Sequence, residues 1–97
     1  MSCNVTLDKR PKKFLEKLAK SVTKEYLKIV TFLENELPNC ENPCALPNAK
    51  HLQGFSDNRW RWKLGEYRII GIVKADTIFF IQVIRIAKRS DRTYKGL

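Results

Sequence analysis

Residues 59–64 read Arg-Trp-Arg-Trp-Lys-Leu, a strict alternation of cationic and apolar side chains. A β-strand returns every second side chain to the same face, so Trp60, Trp62 and Leu64 share one face and Arg59, Arg61 and Lys63 the other. A helix would scatter both kinds around its circumference. A strand with one apolar face must pack that face on a second layer, and the rest of the chain has to supply it.

Period-two patterning continues downstream. Gly65-Glu66 provides a tight turn, residues 67–74 form a second strand, and Lys74-Ala75-Asp76 turns again. Residues 77–87 make a long strand rich in Ile, Val and Phe, which reads as a central strand covered on both faces. Three strands joined by short turns are an antiparallel meander. A brief additional strand is expected over residues 52–55.

Upstream the period is helical. Residues 3–7 alternate weakly and suit a short opening strand, after which Asp8 offers a helix cap and Pro11 falls in a first turn, where it is tolerated. Phe14, Leu15, Leu18 and Ala19 recur at helical spacing. Ser21 or Thr23 can cap a second helix, whose apolar set is Val22, Tyr26, Ile29, Val30, Leu33 and Leu37. The lysines lie mostly opposite these stripes and read as a solvated face. Residues 38–48, with three prolines and three asparagines, form an ordered connection. The expected fold class is α+β: an N-terminal helical hairpin packed on a twisted, mainly antiparallel sheet, in a single domain spanning residues 1–97.

The totals restrict the function classes. No stretch of about 18 apolar residues suits a membrane span, so no membrane partner is expected. Lys9, Arg10, Lys12 and Lys13 occupy the place of a signal peptide's apolar core. The three cysteines, Cys3, Cys40 and Cys44, are too few and too irregular for a disulfide framework and suit a reducing compartment. The expected location is cytoplasmic. Cys40 and Cys44 with His51 supply too few ligands near in sequence for a zinc site, and ordinary thiols are the expectation.

Charge is distributed unevenly. The net charge is +9; residues 1–58 hold nine basic and seven acidic side chains, whereas residues 59–97 hold ten basic and three acidic. Six of those ten are arginine. The guanidinium fork matches phosphate geometry better than a lysine ammonium does. Arg59, Arg61 and Lys63 stand about 7 Å apart along one strand face, a spacing suited to a nucleic-acid backbone. The alternative is an ordinary polar outer face, although three cations without an acid repel one another. Arg68, among isoleucines, is either half of a structural salt bridge, with Glu66 or a helix acid, or a rigid phosphate ligand. Lys88, Arg89, Arg92 and Tyr94 follow the long strand as a frayed basic terminus or as a segment folding back toward the cationic face.

RNA cleavage on such a face would use a ribose 2′-hydroxyl against the adjacent phosphate, with fixed cations taking the charge that develops. Arginine does not titrate, and His51 lies outside the strip. Tyr94 and Lys63 are the remaining candidates for moving protons. The residues contain no paired carboxylates, no Ser-His-Asp order and no glycine-rich phosphate loop.

The order of elements, Leu52-Gln53-Gly54, Tyr67-Arg68-Ile69 and Lys88-Arg89-Ser90-Asp91 followed by Tyr94 resemble the RelE/ParE superfamily of toxin–antitoxin toxins. The resemblance spans nearly the whole chain: by layout in the N-terminal part, by motif in the last 45 residues or so. It implies two helices on an antiparallel sheet. It also implies, for the RelE branch, cleavage of messenger RNA in the ribosomal A site by 2′-hydroxyl attack, without cofactor or metal, held in check by a cognate antitoxin. On that resemblance Arg59 and Arg61 take the places of two alternating basic residues, Arg68 binds phosphate, Arg89 follows the long strand, and Tyr94 stacks on a base or assists proton transfer. Lysines are common where this chain has Arg59 and Arg61, which leaves Lys63 as the substitute base. The basic residues Arg59, Arg61, Lys88 and Arg92 are the expected RNA contacts; Lys63, Arg68, Arg89 and Tyr94 are the expected catalytic set. The ParE branch, which inhibits DNA gyrase, is the alternative, and a non-catalytic RNA-binding module is a second.

Overall fold

A computed structural model describes residues 3–88. The alternating Arg59–Leu64 segment is a strand throughout, and it belongs to a five-stranded mixed sheet. The elements run β1 (Cys3–Leu7), α1 (Lys9–Ser21), α2 (Thr23–Thr31), β2 (Ala49–His51), β3 (Arg59–Leu64), β4 (Tyr67–Ala75) and β5 (Phe79–Lys88). In space the order is β1-β5-β4-β3-β2. The meander β3-β4-β5 is antiparallel as its short turns require, and β1 runs parallel to β5.

That parallel partner changes which strand is central. The apolar run of β5 suggests burial on both faces, but β4 holds the middle of the sheet, and Tyr67 through Gly71 are all buried. In the first half of β5, Ile81 and Val83 are buried whereas Phe80 and Gln82 are exposed. The strand expected over residues 52–55 lies earlier, at Ala49–His51, opposite Trp62 to Trp60. Past it the ladder continues by one bond, Leu52 N–H to Arg59 O at 2.9 Å, and Gly54 adopts φ 88°, a conformation that ends extended pairing.

The helical hairpin forms where its apolar spacing places it, and it covers the tryptophan face. Pro11, Leu15 and Leu18 of α1 are buried, and Phe14 meets Tyr67 edge-on at 6.1 Å. Caps differ from expectation. Asp8 occupies the N-cap of α1 but its carboxylate accepts from Gln82 Nε2 at 3.0 and 3.3 Å rather than from the helix. Val22 holds the N-cap of α2, while the Ser21 and Thr23 hydroxyls donate back to Lys17 O and Ala19 O. These hydroxyls therefore satisfy the C-terminal end of α1 instead of opening α2.

Helix α2 runs on through a π-helical turn, Phe32–Glu36, into a last turn, Leu37–Asn39. Pro38 supplies the reason: it lacks an N–H, and its ring would strike the carbonyl four residues back in a regular helix. In the widened turn Leu37 N–H donates to Phe32 O. Phe32, Leu33 and Leu37 are all buried, against Trp62, Ile69, Val73, Ile81 and Ile86 from the sheet.

Trp62 is the largest of the fully buried side chains, and its indole N–H donates to Pro43 O at 2.9 Å. The proline-rich connection is thereby tied to the core. Gly71 makes the room: a Cβ there would come within 3.1 Å of Trp62 Cζ3 and Ile81 Cγ2 and 3.2 Å of Gln82 O. The backbone oxygen cannot swing away, so Gly71→Ala is expected to cost about 1–3 kcal/mol. Urea unfolding measures it; an unchanged midpoint would show that the ring has slack.

The cysteines gather under the first strand. Cys3 Sγ lies 4.0 Å from Cys40 Sγ, and Cys40 Sγ faces Leu37 O at 3.1 Å. Burial, then the neighbouring Cys3, pushes the Cys40 thiol up to about 11, and burial with Cys40 also raises Cys44. The thiolate is the reactive form, so in the folded protein at pH 8 Cys40 is expected to alkylate at least about tenfold more slowly than in the urea-unfolded chain. Reaction at equal rates, followed by mass spectrometry, would contradict this packing. Among the described residues no group of three or more His, Cys, Asp or Glu is placed to hold a metal, and no helix is long and apolar enough to cross a membrane.

Candidate functional site

Sheet register builds the cationic face. Lys63 lies opposite Arg68, which lies opposite Ala87; Arg61 lies opposite Ile70, which lies opposite Arg85. Residues directly opposite on one face have Cβ atoms about 5 Å apart, so like charges at such positions repel. Lys63 and Arg68 are such a pair, and the row beside them carries Arg61 and Arg85. No acid of the described residues forms an ion pair with any of these four.

Arg68 is 8% exposed, the one buried charged residue among those described. The salt bridge with Glu66 or a helix acid, one of the two alternatives for this arginine, is absent among the described residues. Instead Nη1 donates to Gly65 O at 3.1 Å and Tyr67 O at 3.2 Å, carbonyls of the β3–β4 turn. Gly65, at φ 58°, permits that turn. Two neutral carbonyls orient the guanidinium without neutralising it, and no described residue accepts from Nε or Nη2. A rigid cation with donors to spare is suited to an oxyanion.

Arg61 is held more loosely. Its Nη1 reaches Asn48 O at 3.4 Å, a long contact, and its Nε is buried with no partner among the described residues. Asn48 also accepts from the backbone N–H of Lys63 and donates from Nδ2 to Lys63 O, pinning the connection beside β3. The Lys63 side chain is exposed. Arg59 differs from its neighbours: Nε pairs with Asp57 Oδ1 at 2.7 Å, and its guanidinium lies 4.3 Å from the centre of the Phe55 ring. Its charge is matched within its own loop.

The structure thus brings Arg61, Lys63 and Arg68 together and leaves Arg59 engaged elsewhere. Lys88 lies opposite Tyr67, in the alternation of the helix-covered face rather than that of Arg68. Arg89, Arg92 and Tyr94 lie outside the described residues. His51 lies opposite Trp60 and packs on its ring at 5.1 Å, away from the cationic alternation. Arg85 is the residue the sequence reading missed. A bulge between Ile70 and Gly71 in the β4–β5 register shifts the alternation of β5, which sets Arg85 beside Ile70. Gly71 within an apolar strand was the available signal, since an isolated strand glycine often marks a bulge or a close approach.

No protein-family model matches the sequence, and no curated protein matches it. Solved structures do. A chain of the RelBE2 toxin–antitoxin complex of Mycobacterium tuberculosis superposes with TM-score 0.71 at 18% identity, over 92% of this chain and 100% of the other. The YoeB/ParE toxin of Agrobacterium tumefaciens gives 0.68 at 16%, over 88% and 96%. A chain of the archaeal RelE–RelB complex of Pyrococcus horikoshii gives 0.62 at 26%, over 94% and 99%. The chain has the RelE/ParE toxin fold. In the RelE/ParE-like arrangement seen here, the helical hairpin covers one face of the sheet. The Arg61–Lys63–Arg68–Arg85 cluster occupies the other.

Proposed function

We propose that this chain is the toxin of a type II toxin–antitoxin pair and that it cuts messenger RNA in the ribosomal A site. The observation that carries this reading is the opposed Lys63–Arg68 pair, with Arg61 and Arg85 in the next row and no acid among the described residues to balance them. Such a cluster is disfavoured in the free protein and relieved by a polyanion. The toxin–antitoxin complexes among the fold relatives support the pairing with an antitoxin, whose acidic or amphipathic segment would cover this face.

In the reaction, the ribose 2′-oxygen bonds to the adjacent phosphorus as the P–O5′ bond breaks. A base takes the 2′-hydroxyl proton and an acid delivers one to O5′. Negative charge grows on the non-bridging phosphate oxygens, where guanidiniums held in place beforehand stabilise the transition state more than the ground state. Arg68 and Arg61 take that role. Lys63 is the titratable side chain beside them, and the resemblance adds Arg89 as a further phosphate ligand and Tyr94 for stacking or proton transfer. These groups require no cofactor.

Arg89→Ala and Tyr94→Phe are expected to abolish growth arrest on induction while leaving folding and antitoxin binding intact. Primer extension on cellular messenger RNA should show A-site cuts with wild type only. Cuts that persist in the Arg68, Arg89 and Tyr94 variants would remove these residues from the site. Gyrase-dependent DNA breaks with intact messenger would favour the ParE-like activity, and affinity for RNA without growth arrest would leave a binding module.

A further inference from the structure

Arg85 faces two ways. β1 pairs with β5 only as far as Val83, and beyond that point α1 lies against the strand. A cleft of about 360 Å³ opens there, and its described lining includes Arg10, Lys13 and Lys17 of α1 with Arg85, and no acid. The three helix cations fall at i, i+3 and i+7, on one side of α1 and spread over about 10 Å. The first turn of α1 carries no acidic residue, although the positive end of the helix dipole favours one. The Asp8 carboxylate beside it is taken by Gln82. Arg85 Nε is buried without a hydrogen-bond partner among the described residues. Four cations, one of them with a guanidinium donor unpaired among the described residues, meet in a concave site, and that arrangement calls for an anion.

We propose that this cleft binds successive backbone phosphates of the same RNA, so that the strand runs from Arg61 over Ile70 to Arg85 and on to α1. The inference rests on the reading of the sheet face as an RNA surface, because Arg85 joins the two. It adds a binding subsite remote from the cut, and gives Arg10, Lys13 and Lys17 a use beyond solvation. An acidic peptide is the competing occupant. Continuity with the sheet cluster through Arg85 favours the polyphosphate backbone, which presents a charge at every residue.

The test uses the full-length protein and a single-stranded RNA oligonucleotide 2′-O-methylated throughout, which is bound but not cut. Lys13→Gln/Lys17→Gln, at two exposed positions, should weaken binding about tenfold at about 100 mM salt. It should also make the slope of log K against log salt shallower by about 1.4, or 0.7 per lost phosphate contact. The melting curve should stay that of wild type. Wild-type affinity and slope in the double variant would overturn the site, whether or not the wild type cuts messenger. Loss of affinity for an oligoglutamate peptide with RNA binding intact would also overturn it, in favour of a peptide groove. Weaker RNA binding by the variant, with no cutting by either protein, would uphold the subsite and remove the nuclease reading.

Discussion

Arg68→Ala is expected to reduce A-site cleavage about 10²- to 10³-fold, the usual cost of removing one preorganised donor from an oxyanion site. The geometry behind the figure is specific. The guanidinium is fixed by Gly65 O and Tyr67 O, sits opposite Lys63, and has no acid among the described residues to satisfy it. Arg68→Lys keeps the charge but loses the fork and the two-carbonyl anchor, and should fall between alanine and wild type. A merely structural arginine behaves differently: its alanine variant would lose stability while each folded molecule cut at the normal rate. Cleavage per folded molecule, from single-turnover kinetics alongside a melting curve, separates the two. An unchanged rate would confine Arg68 to holding the turn.

The second large effect falls on stability. Trp62→Ala is expected to cost about 3–5 kcal/mol, the range for truncating a buried large aromatic. Trp62 is 0% exposed, fills the space that Gly71 leaves, and holds the connection through Pro43 O. For a domain of this size about 1 kcal/mol shifts the melting temperature by about 4–8 °C, so a fall above about 12 °C is expected. Trp60, two residues away on the same face, is half-buried and bonds to the exposed Asn58 side chain. Trp60→Ala should cost far less. Equal midpoints for the two variants in urea would show that the core is not organised around Trp62.

The contrast between the two tryptophans marks how far pattern alone reaches. Alternation through residues 59–64 was enough to define β3 to the residue and to separate Trp60, Trp62 and Leu64 from Arg59, Arg61 and Lys63. It said nothing of how deeply each ring is buried, which depends on Gly71 and Pro43 from elsewhere in the chain. The helical hairpin was legible from its 3.6-residue stripe, but its π-turn was not, because Pro38 reads equally well as the start of a loop. The position of β1 beside β5 was hidden as well. Parallel pairing over such a sequence distance leaves no local trace, and an apolar β5 suits a central or a near-edge strand alike.

The site divides in a similar way. The shared face of Arg61, Lys63 and Arg68 was legible because alternation and a two-residue turn together dictate their register. Arg59 was misleading: strand position assigned it to the strip, while Asp57 and Phe55, both in the preceding loop, hold its side chain. Arg85 was hidden by one bulged residue, after which simple alternation counts the wrong face. That backbone carbonyls rather than an acid hold Arg68 depends on the direction of one guanidinium, which no pattern of residue types encodes.

Whether the cationic face of this RelE/ParE-type sheet cuts messenger RNA is decided by one reconstitution. Ribosomes are programmed with a messenger, initiator tRNA in the P site and an empty A site, then treated with the purified protein. Primer extension maps the new ends. A cut within the A-site codon is expected, lost in Arg61→Ala/Arg68→Ala. Full-length messenger with the folded wild-type protein, or an equal cut by the double variant, would contradict it.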